Sequence, residues 1–73
     1  MGRGWVHTVN RDGMWVNEVE GGERLSEHYM KDAAVAAGRD EAERRRTEHV
    51  IHNVDGTIAR RNSYGPDPSP TVG

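Results

Sequence analysis

The sequence predicts an α+β fold: an antiparallel sheet of two hairpins, with one α-helix packed on one face. The predicted order is β-β-(β)-α-β-β, the bracketed strand being a short extra edge. Three observations carry this reading. Two β-rich runs, 5–11 and 14–20, flank Asp12-Gly13, and two shorter ones, 49–53 and 57–62, flank Val54-Asp55-Gly56. Asp-Gly between such runs marks a tight hairpin, because both central residues of a type I′ turn need positive φ. Between the hairpins, residues 31–46 are rich in Ala and repeat small apolar residues at helical spacing.

If Asp12 and Gly13 make the first turn, Val9 faces Val16 and His7 faces Glu18. One face then carries Trp5, His7, Val9, Met14, Val16 and Glu18. The other carries Val6, Thr8, Asn10, Trp15, Asn17 and Val19. A sheet with one dry side separates apolar from polar residues more cleanly. The mixture predicts a sheet covered on both faces, by the helix on one and by a partner subunit on the other. Gly21-Gly22 reads as a loop, and residues 23–28 as the short, charge-rich edge strand.

In the helix, Ala34, Val35, Gly38 and Ala42 form a narrow face of small residues. Gly38 costs up to about 1 kcal/mol in helix propensity against Ala, so close packing is its expected reason. Asp40 with Arg44, and Glu41 with Arg45, are acid-before-base pairs four apart. Arg44, Arg45 and Arg46 sit where the helix dipole favours cations. Met30 stands where a capping Ser, Thr or Asp is expected.

Composition narrows the function classes. The chain has 73 residues, no Cys, no Phe and a net charge of −2. It is read as one small domain over residues 1–64 with a Pro/Gly-rich, extended or disordered tail over 65–73. Absence of Cys excludes disulfides, thiolate metal sites and Cys nucleophiles, and fits a cytoplasmic setting. No apolar run approaches membrane-spanning length, so no membrane association is expected. So small a core without staples predicts self-association as a homodimer.

The ending Ser63-Tyr64-Gly65-Pro66-Asp67-Pro68, after the Asp55-Gly56 hairpin, resembles the signature of the small bacterial domain-of-unknown-function family 2188. The resemblance spans roughly residues 5–68. Met14-Trp15 stands for the usual Gly-Trp, Met30-Lys31 for the usual Thr-Lys, and Pro66 for an Asn. It implies the fold and a bacterial cytoplasmic setting, and no activity or cofactor.

Four candidate sites follow from residue types. His49 and His52, three apart on a strand, point to opposite faces and do not chelate as a pair. His7 and His52 converge only if the first and fourth strands are neighbours, and a zinc site would need further donors. A His-based hydrolase needs a pocket joining two of His7, His28, His49 and His52. Neither a catalytic nor a metal or cofactor site is therefore assigned, and a cross-strand ion pair explains His7 and Glu18. Arg44, Arg45, Arg46, Arg60 and Arg61 are the candidate nucleic-acid contacts, with the aromatic rings as stacking platforms. The interleaved Asp40, Glu41, Glu43 and Glu48 favour a solvated, ion-paired face instead. Trp5, Trp15 and Tyr64 are the candidate interface or lid residues, Tyr64 closing one end of the core. The expected function is a non-catalytic interaction or assembly module. The alternative is an accessory nucleic-acid-binding protein.

Overall fold

A computed structural model describes residues 4–65. The elements run β1 (Val6–Arg11), β2 (Met14–Val19), β3 (Arg24–His28), α1 (Lys31–Arg45), β4 (Glu48–His52) and β5 (Ile58–Ser63). They form one five-stranded sheet in the order β3-β2-β1-β4-β5, with α1 across one face. The expected tail from residue 66 onward lies outside the described residues.

The first turn is as the sequence predicts, with Asp12 and Gly13 at φ 55° and 88°. The register follows: Val9 opposite Val16, His7 opposite Glu18. In the second hairpin Asn53 O accepts from Gly56 N–H at 2.9 Å, and Gly56 takes φ 93°. The Asp55 carboxylate accepts from the Thr57 amide at 3.1 Å and hydroxyl at 2.7 Å. These bonds hold its pKa below the ordinary value.

The wholly antiparallel sheet is corrected. β1 and β4 run parallel, Val6 beside His49 and Thr8 beside Ile51, so the sheet is mixed. The reason is the short strand β3. It points the chain the same way as β1, and α1 returns the chain to the opposite end before β4 begins. β4 therefore runs with β3 and β1, as a strand reached through a single crossover helix does. Irregularities in β2–β3 and β4–β5 leave Leu25 and Ala59 as the extra residues of two bulges.

Helix α1 starts at Met30 with no side-chain cap bond and ends at Arg46 in the left-handed region, φ 57°. Its buried residues are Ala34, Gly38 and Ala42, while Val35 is half-buried. Glu41 pairs with both Arg44 and Arg45. The expected Asp40–Arg44 pair does not form among the described residues.

Trp15 lies on the helix face, with the Lys31 ammonium 5.1 Å from its ring centroid. Trp5 lies on the open face, with the Arg61 guanidinium at 5.3 Å. The buried apolar residues are Val6, Trp15, Val16, Ala34, Ala42, Val50 and Ile51.

Candidate functional site

Two hydrogen-bonded rows cross the sheet, one on each face. The row beneath the helix is buried. The Asn17 amide donates to the Ala34 carbonyl at 2.9 Å and the Ser26 hydroxyl at 3.1 Å. That orients its Oδ1 to accept from the Thr8 hydroxyl at 2.5 Å. Thr8, having given its proton, accepts from His49 Nε2 at 2.7 Å, which fixes the ring's tautomer. His28 closes the far end against Ser26 at 2.9 Å. Thr8, Asn17 and His49 have no exposed surface.

Gly38 lies over the middle of this row. A Cβ built there would meet Asn17 Oδ1 at 2.5 Å, His49 Nε2 at 2.6 Å and Thr8 Oγ1 at 2.8 Å. The helix is thus drawn down onto polar atoms, and only Gly allows it. His49 Nδ1 is buried without a partner. Burial pushes the His49 pKa down to about 4, with Arg39 and His7 adding to the effect, so the ring is neutral at pH 7. This row holds the helix to the sheet, closed to solvent at Thr8, Asn17 and His49 and half-buried at Ser26 and His28.

The second row is on the open face and faces a concavity of about 350 Å³. His7 Nε2 meets the Glu20 carboxylate. His7 Nδ1 meets His52 Nε2 at 2.9 Å. His52 Nδ1 meets the Gly56 carbonyl at 3.3 Å. The parallel pairing of β1 with β4 brings His7 and His52 together, and the hairpin loop that ends β2 supplies Glu20. His49 points to the other face, as strand alternation requires. Beside the row, Arg11 grips Glu18 through two bonds of 2.6 and 2.9 Å. This lowers the Glu18 pKa. The expected His7–Glu18 pair is therefore corrected: Glu18 faces His7 in register but is taken by Arg11, and His7 turns to Glu20.

The concavity joins two histidines and two carboxylates, the minimum for moving protons. None of the described residues lining it is Ser, Thr, Lys or Tyr. Among the described residues no three His, Asp or Glu side chains form a group able to hold a metal ion.

The candidate arginines do not share one surface. Arg44 and Arg45 are held by Glu41 on the helix. Arg46 caps the helix. Arg61 lies on the open face, 3.5 Å from Glu48 and over Trp5. Arg60 is on the helix face, where with Lys31 it rims a second groove floored by Val35, Ile51 and Ala59. Tyr64 is half-buried and its amide donates to Thr47 O at 3.1 Å. A Cβ at Gly65 would meet the Arg46 carbonyl at 2.9 Å, so the chain leaves the sheet pressed against the helix end.

Neither row was signalled by a motif. Thr8, Asn17 and His49 lie far apart in sequence and look like ordinary strand polar residues. Convergence of His7 with His52 depends on strand order, which no local pattern states.

Residues 6–64 match the model of a family described as "Uncharacterized protein conserved in bacteria (DUF2188)". No curated protein matches the chain. No solved structure matches it either.

Proposed function

For a chain that belongs to this bacterial family, we propose a non-catalytic assembly module that associates with a second copy of itself. The observation that carries the reading is a set of exposed apolar side chains at one end of the sheet. Tyr29 is 84 % exposed, Val54 72 %, Met30 64 % and Ile58 62 %. Topology puts all four at the end where β3 hands over to α1 and β4 turns into β5. Among the described residues, the open face and the β5 edge are charged. The open face is laced with the pairs Arg11–Glu18, Arg24–Glu27, Arg61–Glu48 and His7–Glu20. The β5 edge carries Arg60 and Arg61, and charge on an edge strand opposes edge-to-edge pairing. A second copy is the favoured occupant because the buried apolar set is small for an independent domain. A net charge of −2 also leaves little repulsion between copies.

Sedimentation equilibrium of the purified chain, alone and with short single- and double-stranded oligonucleotides, tests this. A dimer indifferent to oligonucleotide is expected. A monomer that gains mass only with nucleic acid, reversibly with salt, would overturn it and turn attention to Arg60 and its neighbours.

A further inference from the structure

We infer that the groove between α1 and β5 is the seat for the β4–β5 turn of a second copy: the partner's Val54 covers the apolar floor, and the partner's Asp55 pairs with Arg60 and Lys31. The inference rests on the self-association proposed above and says which surfaces meet in it.

The groove exists because α1 packs over β1, β2, β3 and β4 and stops short of β5. Its volume is about 250 Å³, with Val35, Ile51 and Ala59 as floor and Lys31 and Arg60 at the rim. The bulge in β5 shapes it. Arg60 lies opposite Ile51 and Ala59 is the extra residue, so two consecutive residues line one groove, which strict alternation forbids. Among the described residues, Arg11, Arg24, Arg44, Arg45 and Arg61 have carboxylate partners. Arg60 has none, and Lys31 rests on the Trp15 ring, a contact that leaves its charge without a carboxylate. The groove thus sets apolar surface beside uncompensated positive charge.

The β4–β5 turn carries the complement. Val54 is 72 % exposed, and Asp55 follows it in the same exposed turn. Asp55 accepts both Thr57 bonds through Oδ1, so Oδ2 has no partner among the described residues. The same bonds hold the carboxylate ionised. Tyr29 is a poorer occupant, because Met30 and Lys31 follow it and would bring a cation toward cations. Turn and groove stand side by side at one end of the sheet. A two-fold axis between them lets each copy's turn enter the other's groove, as a self-complementary contact requires.

The test is a charge swap in the full chain, read by sedimentation equilibrium. The double variant Lys31→Glu/Arg60→Glu and the single variant Asp55→Lys should each weaken the dimer at least about tenfold, because both symmetric contacts then oppose like charges. Their equimolar mixture should regain the parent's affinity within about threefold, since both contacts are again opposite in charge. Asp55→Asn removes the charge and keeps an oxygen for Thr57, so it should weaken the dimer less than Asp55→Lys. Circular dichroism checks folding, and Asp55→Asn decides with the double variant should Asp55→Lys fail to fold. A parent dimer that ignores these variants, or a mixture of folded variants that stays monomeric, would overturn the seat and leave the association standing. A monomeric parent would overturn the association and the seat with it.

Discussion

Gly38 sets two effects against each other. Replacing a helical Gly by Ala normally adds about 1 kcal/mol through propensity. Here the new methyl would sit 2.5–2.8 Å from three polar atoms that are themselves bonded in a row. Overpacking of this kind costs about 1–3 kcal/mol before any broken hydrogen bond is counted. Gly38→Ala should therefore lower the urea midpoint, and a raised midpoint would show that the row relaxes freely. His49 gives the same row a pH signature. Its folded pKa, about 4, lies below the ordinary imidazole value of 6.5. The unfolded chain therefore binds the proton first as pH falls. Stability tied to this ring is fully present above pH 6.5 and is lost progressively down to about pH 4. The whole effect is on the order of 3 kcal/mol. The carboxylates with lowered pKa, Glu18, Glu41 and Asp55, lose their contributions only from about pH 4.5 downward. Urea unfolding at pH 7 and pH 5.5 should show the His49 loss, and His49→Gln should flatten that interval.

At the scale of elements, the helix ends are weak by design of their residues. Arg46 holds a left-handed conformation that costs a side-chain-bearing residue about 1–2 kcal/mol, while its amide and that of Thr47 cap Glu43 O and Ala42 O. Arg46→Gly relieves this strain at some cost in unfolded-chain entropy. A net gain of about 1 kcal/mol is expected in urea unfolding, and a loss would mean that the Arg46 side chain holds the helix end itself. The sequence shows both hairpins, the helix and the faces of β1 and β2, because these rest on turn chemistry and on periods of two and 3.6 residues. It hides the sign of the β1–β4 pairing, because that sign depends on whether β3 is counted. Without β3, the helix would deliver β4 antiparallel to β1. With it, β4 must be parallel. Residues 23–28 read as a short edge strand, but local pattern does not say on which side of the sheet the crossover places β4. The sequence states the His7–His52 convergence only as a condition on strand order; the pairing of β1 with β4 meets it and sets the two rings diagonally across neighbouring strands.

For the whole molecule, the decisive quantity is how little apolar surface the helix covers. Its buried contacts are Ala34, Gly38 and Ala42, and they rest partly on the polar row. The open face adds ion pairs, each with at least one partner reaching solvent, and such pairs contribute about 1 kcal/mol or less each. A chain so placed gains stability chiefly by covering apolar side chains elsewhere, and among the described residues Tyr29, Met30, Val54 and Ile58 are the large ones left in water. If copies join there, association and folding are linked by mass action, and the unfolding midpoint must climb with protein concentration. Val54 is the cleanest probe, because it lies in the β4–β5 turn and makes no ladder bond. Val54→Glu should leave the midpoint of the dilute protein within about 0.5 kcal/mol of the parent. It should also abolish the concentration dependence and shift sedimentation toward the monomer, as Tyr29→Glu should independently. A midpoint that ignores concentration in the parent protein would instead mean that the thin core and the polar row suffice alone, and would remove the apolar end as an interface.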